Sequence, residues 1–244
     1  MILKNIKKRV IKANIEILDY IEKSLKKEDF KYTKQIGFGG DETLKIDKIF
    51  EDIFIKNLKD YGNIFSEECG FLDFKKELTF IIDPLDGSNN FFSNIPYFGT
   101  SVALKKDGKI IAGFVANLAN KTLVYKILNK KIKYISLLRD KKIIKVENGS
   151  SKVAVFERGY KYPNICKILN DKEMKFRVLG ATALSLANAR DFTFVLFKGN
   201  LREFDIDAGL FISNDLYIKK DEDMVFITKY KEVFSSFNEI IKQF

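Results

Sequence analysis

Leu78-Thr79-Phe80-Ile81-Ile82-Asp83-Pro84-Leu85-Asp86-Gly87-Ser88 passes from an apolar, strand-like run straight into two carboxylates and a glycine. Phe80, Ile81 and Ile82 suit a buried strand. Asp83 follows where that strand ends, on rigid scaffold that carries a side chain into a crevice rather than into the core. Pro84 fixes φ between the two acids, so that Asp83, Asp86 and the Leu85 carbonyl converge on one small volume. Like charges gathered in this way repel one another unless a cation sits among them. Mg²⁺ fits because it accepts a few carboxylates together with water and phosphate oxygens. Gly87 lets backbone approach closely, and Ser88 and Asn89 are good N-cap residues. A helix starting there points backbone N–H groups at an anion. A solvated turn also accounts for the segment by itself, since Pro, Asp and Gly are the commonest turn residues. The rest of the chain decides between the two.

Upstream, Asn63-Ile64-Phe65-Ser66 leads into Glu67 and Glu68, a second carboxylate pair at a strand end. Ile6, Val10, Ala13, Ile17, Ile21 and Leu25 recur at three- and four-residue spacing, which predicts an amphipathic helix over the first ~25 residues. A Gly-rich stretch at 36–43 is too flexible for a helix interior. A second helix is expected over 44–58. Downstream, Asp107-Gly108 between two apolar runs is a strong hairpin signal. After the Glu-Asn-Gly-Ser-Ser segment at 147–151 the rhythm changes to strand 153–156, helix 163–170, strand 176–179, helix 181–189 and strand 192–197. That alternation predicts an α/β half. The expected division is an N-terminal α+β half, 1–150, with most of the acidic cluster, and a C-terminal α/β half, 151–244.

Composition removes several chemistries. The 244 residues contain no His, so a Ser-His-Asp triad, a Cys-His pair and a His-ligated zinc site are all excluded. A metal must then be held mainly by oxygen, which suits Mg²⁺, Ca²⁺ or Mn²⁺. Cys69 and Cys166 make no disulfide framework, and a reduced, cytoplasmic setting is expected. No apolar run approaches the roughly 18 residues that span a bilayer, and Lys and Glu are mixed through the first 27 residues, unlike a signal peptide. The net charge of +10 fits an anionic substrate, nucleic acid, or simply a Lys-rich surface set by base composition or a hot habitat. The lysines are scattered in pairs, never in a block of five or six, which weakens the nucleic-acid reading.

The run Asp83-Pro84-Leu85-Asp86-Gly87-Ser88-Asn89-Asn90-Phe91 closely resembles the signature of the inositol monophosphatase family, Asp-Pro-Ile/Leu-Asp-Gly-Thr/Ser-x-Asn-Phe. Three more pieces fall in the family's order. Ser66-Glu67-Glu68 resembles its Glu-Glu metal motif, Gly180-Ala181-Thr182-Ala183-Leu184 its Gly-Ser-x-Ala-Leu helix start, and Phe204-Asp205-Ile206-Asp207-Ala208-Gly209 its Trp-Asp-x-Ala-Ala-Gly motif. The stretch from Gly37 to Asp47 and the run Lys198-Gly199-Asn200-Leu201-Arg202 are similar to the archaeal-type branch acting on both fructose 1,6-bisphosphate and inositol monophosphate.

The resemblance implies a layered αβαβα sandwich, a Mg²⁺-dependent phosphomonoesterase (Mn²⁺ as an alternative ion), Li⁺ inhibition in at least part of the family, and a homodimer. It also implies roles. Glu67, Asp83, the Leu85 carbonyl, Asp86 and Asp205 would hold two or three ions. Gly87 and Ser88 would bind phosphate through backbone N–H groups, and Ser88 Oγ with Glu67 would orient the attacking water. Asp41 and Thr43 would help recruit a third ion, with Asp47 behind them. Lys198 and Arg202 would face the substrate; a cation at Lys198, where inositol-preferring relatives carry an acid, suits a second phosphate. Four departures bear on the substrate wall: Asp207 for Ala, Phe204 for Trp, a helix after Gly180 about four residues short, and a reduced strand segment at 214–220. The expected substrate is fructose 1,6-bisphosphate or inositol 1-phosphate. Adenosine 3′,5′-bisphosphate is the alternative within the class, and a non-catalytic anion or nucleic-acid binder the alternative outside it.

Overall fold

The computed structural model describes residues 2–40, 42–138 and 151–241, with side chains as far as residue 237 in the last helix. The first half runs α1 (Ile2–Lys23), a 3₁₀ turn (Lys27–Phe30), β1 (Tyr32–Ile36), β2 (Glu42–Leu44), α2 (Lys45–Leu58), β3 (Asn63–Ser66), β4 (Gly70–Leu72), β5 (Leu78–Asp86), α3 (Ser88–Phe92), β6 (Gly99–Lys106), β7 (Lys109–Asn117), β8 (Thr122–Ile127) and β9 (Lys133–Ser136). The second runs β10 (Ala154–Glu157), α4 (Pro163–Asp171), β11 (Phe176–Arg177), α5 (Thr182–Ala187), β12 (Val195–Lys198), α6 (Glu203–Ile212), β13 (Tyr217–Lys220), β14 (Met224–Thr228) and α7 (Lys231–Ile241).

Strand periodicity builds the layers. Along β5, Phe80 and Ile82 pack with Ile6, Val10, Ala13 and Ile17 of α1 and with Phe50 and Phe54 of α2. Ile81 points the other way, because successive side chains of a strand alternate between faces, and joins Leu184 and Ala187 of α5 and Ala208 and Ile212 of α6. The sheet between these helix layers has seven strands in the order β4-β3-β5-β6-β7-β8-β9. Leu186 of α5 and Ile206 of α6 face a second, five-stranded sheet, β11-β10-β12-β14-β13, through Val155, Val195 and Val225. Phe156, Leu196 and Phe226 line its far side with Ile165 and Leu169 of α4 and Phe237 of α7. The order is therefore helix pair, sheet, helix pair, sheet, helix pair: the αβαβα sandwich expected. α5 and α6 are the shared middle layer, and they carry residues of the second half onto the sheet of the first.

Several local expectations shift. The ends of the Gly-rich stretch, Ile36 on one side and Glu42 and Thr43 on the other, belong to an antiparallel hairpin of β1 and β2, with residues 37–40 leaving β1 in the turn between them. The strand expected at 176–179 pairs only over Phe176–Arg177, alongside β10. The helix expected at 181–189 ends at Ala187 and passes into a 3₁₀ turn, Ala189–Asp191. Asp83 and Asp86 lie inside β5 rather than beyond it. Asp83 pairs with Ser101 and Asp86 with Gly99, so three residues of β5 advance against two of β6. That is a one-residue bulge, the device by which a strand re-aims a side chain. Gly99 is needed opposite: a Cβ there would lie 1.8 Å from the Ala116 carbonyl oxygen. The proposed seam at 147–151 falls almost wholly outside the described residues.

Candidate active site

The parallel pairing of β3 and β5 sets Ser66 beside Ile82, so Glu67, just past the end of β3, comes beside Asp83 within β5. The Glu67 N–H donates to the Ile82 carbonyl at 3.0 Å, which fixes the Glu67 backbone against β5. Asp205, in the first turn of α6, enters from the middle layer. Glu67, Asp83 and Asp205 each bring a carboxylate oxygen within 4.8 Å of the others. Asp86 sits behind them, its Oδ2 accepting the Leu184 N–H at 2.8 Å, while Asp83 Oδ1 accepts the Leu85 N–H at 2.9 Å.

The electrostatics of this cluster are strained. Asp83 and Asp86 are each only 4% exposed. Burial pushes the Asp83 carboxyl well above the usual carboxylate range, and the charges of Glu67, Asp86 and Asp205 push it further. Burial does the same at Asp86, where the Leu184 N–H opposes the rise and Asp205, Glu157 and Glu67 add to it. Asp47 is pushed up to about 8, by burial first and Glu68 second. Its Oδ2 accepts the Leu44 N–H at 3.0 Å, and its buried Oδ1 has no hydrogen-bond partner. Carboxylates this crowded and this poorly solvated favour a hard cation among them. The donors are all oxygen, the ligand type that Mg²⁺ takes. The residues therefore fit a divalent metal.

These groups line one cleft of about 680 Å³, which also reaches Leu85, Gly87, Ser88, Arg202 and Asp47. Gly87, with φ +85°, is the N-cap of α3, so that helix begins one residue earlier than a Ser88 cap and two earlier than an Asn89 cap would have it. A Cβ on Gly87 would lie 3.0 Å from Ala181 Cβ and 3.1 Å from the Tyr97 carbonyl oxygen. Arg202 stands within the acidic cluster itself. Its guanidinium lies 2.9 Å from Asp205 Oδ2 and 2.8 Å from Glu67 Oε1, and it donates to the Gly39 carbonyl at 3.0 Å. Lys198 is not among the residues lining the cleft; its Nζ lies 2.8 Å from Asp223. Thr43 Oγ1 donates to Glu68 on the hairpin side. Asp41 lies outside the described residues.

Among the lining residues that had no place in the sequence reading are Glu157, Arg158, Tyr160 and Lys161. Glu157 obeys the rule that found Glu67 and Asp83, a carboxylate where an apolar strand ends, and that rule points to it. Arg158, Tyr160 and Lys161 follow β10 with no local signal.

Fold and site together define a class: a phosphoric monoester hydrolase built on a metal-binding acidic cluster. The chain belongs to the inositol monophosphatase family, whose family model matches residues 4–215. A fructose-1,6-bisphosphatase of Pyrococcus furiosus is 33% identical over 188 residues, 74% of this chain and 70% of that one. A fructose-1,6-bisphosphatase/inositol-1-monophosphatase of Thermococcus kodakarensis is 33% identical over 178 residues, 71% and 66% of the two chains. A solved structure of an inositol monophosphatase-fructose 1,6 bisphosphatase superposes with a TM-score of 0.75 at 27% identity, covering 94% of this chain and 97% of its own. No helix among the described residues is long and apolar enough to cross a membrane.

Proposed function

We propose that this chain hydrolyses fructose 1,6-bisphosphate, inositol 1-phosphate or both, using Mg²⁺ held by Glu67, Asp83, the Leu85 carbonyl, Asp86 and Asp205. The convergence of Glu67, Asp83 and Asp205 within 4.8 Å, in a cleft also lined by Arg158 and Lys161, supports this reading most directly. Divalent ions bound there supply a water of lowered pKa and offset charge on the phosphoryl and leaving oxygens. The chain's own residues do the positioning, which is most of what phosphoryl transfer needs. Gly87 and Ser88 present backbone N–H groups to the phosphate. Ser88 Oγ and Glu67 orient the attacking water in line with phosphorus. Asp41 and Thr43 belong to the same reading as aids to a third ion, and Arg202 as a contact to substrate.

Arg158 and Lys161 line the cleft with the acidic cluster. They provide for a second anionic group on the substrate, in the way first expected of Lys198. A homodimer in the cytoplasm is part of the proposal. The test is phosphate release from fructose 1,6-bisphosphate, inositol 1-phosphate and adenosine 3′,5′-bisphosphate, side by side, with Mg²⁺ and with a chelator. The proposal expects Mg²⁺-dependent release from the first two. Preference for the nucleotide would contradict the substrate assignment. No release from any, with salt-sensitive nucleic-acid binding in its place, would contradict the activity.

A further inference from the structure

Glu157 is the last residue of β10 and is 1% exposed. Its two oxygens grip a single short segment. Oε2 accepts the Gly180 N–H at 2.9 Å, and Oε1 accepts the Ser185 hydroxyl at 2.5 Å. Between those points lies Leu184, whose N–H donates to Asp86 Oδ2 at 2.8 Å. One carboxylate thus holds both ends of the stretch whose middle holds Asp86.

A second set of bonds ties the same segment to the loop after Asp86. The Ser185 hydroxyl lies 3.1 Å from the Tyr97 hydroxyl. Asn90 Nδ2 donates to the Tyr97 and Leu179 carbonyls, both at 2.7 Å. The ring closes through Gly180, whose φ of +79° turns the chain from Leu179 into α5. Shifting Gly180 or Ser185 therefore displaces Leu184 from Asp86 and Leu179 from Asn90 together.

We propose that Glu157 is a positioning residue, which with Ser185 clamps the 180–185 segment so that the Leu184 N–H keeps Asp86 in its metal-binding orientation. This role presupposes the metal-binding reading of the cleft. Glu157 touches neither the cation nor the reacting atoms; it acts through Leu184 and Asp86, as outer hydrogen bonds orient a ligating carboxylate.

The test is Mg²⁺ binding to the full chain by titration calorimetry, with kcat and KM measured in parallel. Glu157→Leu removes both acceptors and is expected to weaken Mg²⁺ affinity about tenfold or more, the range typical of lost outer contacts. Its kcat at fixed Mg²⁺ falls with it, while KM for the phosphate ester stays within about threefold. Glu157→Gln still accepts from Gly180 and can donate to the Ser185 hydroxyl, so it restores most of the affinity. Ser185→Ala loosens one end and weakens binding about threefold, and it carries the test if Glu157→Leu does not fold. Phe226→Leu, in the far core, is the control: it lowers Tm and leaves Mg²⁺ affinity unchanged. Wild-type affinity in folded Glu157→Leu, or in Ser185→Ala if the former is unfolded, overturns the clamp. So does an equal loss of affinity in Phe226→Leu. A wild-type chain that binds no divalent cation overturns the proposed function, and the clamp with it.

Discussion

Asp83 and Asp86 share one strand and face one volume because β5 carries an extra residue between them. Without that bulge the period of two would send them to opposite faces, since their separation of three is odd. Pro84, which donates no hydrogen bond, is at home in such a bulge. Gly87 then turns the chain at φ +85°, in a space where Ala181 and the Tyr97 carbonyl would crowd a Cβ. Gly87→Ala is expected to cost about 1 kcal/mol or more from backbone strain alone and to lose most phosphate release, measured by thermal melts and initial rates. Wild-type activity in that variant would contradict the close approach. At this scale the sequence was legible wherever a carboxylate met a strand end. It was not legible for Arg202, whose distance from Gly39 and Glu67 in the chain hides a contact made only in the fold. Nor did it reveal that Lys198 turns to Asp223, because a cation's partner across a sheet edge leaves no local trace.

Element boundaries follow the same logic. α1 and α2 were readable because each buries one face only, which imprints the helical period. β14 was missed because Met224–Thr228 is buried throughout, and a strand covered on both faces shows no alternation. β1 and β2 were hidden by the glycines between them. Asp215, just beyond α6, joins two elements by accepting from Lys126 of β8 at 2.7 Å and from Arg190 of the 3₁₀ turn. Burial alone would raise this carboxyl, yet the hydrogen bonds from Arg190 and Lys126 outweigh it and bring it to about 2. A folded value below the unfolded 3.8 means stabilisation that is present above pH 4 and lost as the pH falls toward 2. Asp215→Asn is therefore expected to lower Tm at pH 7 and to leave it unchanged near pH 2. An equal drop at both pH values would contradict the ion-pair origin.

The whole molecule is organised by its middle layer. α5 and α6 fill the space between the sheets, so the two cores are covered by the same helices. Asp205 rides on α6 and the Leu184 N–H on α5, while Asp83 and Asp86 belong to the seven-stranded sheet and Glu67 directly follows its strand β3. Assembling the acidic cluster thus requires both halves to be in place. Stability and metal binding should be linked accordingly. Mg²⁺ at about 100 times its Kd adds roughly 2.7 kcal/mol if it binds only the folded chain. The expected melt is one cooperative transition whose midpoint rises with Mg²⁺ in the wild type and not in Asp205→Asn. A Mg²⁺-independent midpoint would contradict the linkage. The five-layer order was expected from resemblance to the family, whereas periodicity by itself reached only a mixed α and β chain with an α/β second half. No local pattern states which helix covers two sheets.

The central claim is that Asp83, buried among like charges, serves phosphate-ester hydrolysis by holding a divalent ion. It is tested most directly by the rate of phosphate release from fructose 1,6-bisphosphate by Asp83→Asn at saturating Mg²⁺, compared with the wild type. The variant keeps the size of the side chain and removes the charge that meets the metal. A fall of about three orders of magnitude or more is predicted, the scale of losing a principal electrostatic contribution to the transition state. A folded Asp83→Asn protein that hydrolyses the ester at a near-normal rate would contradict the account.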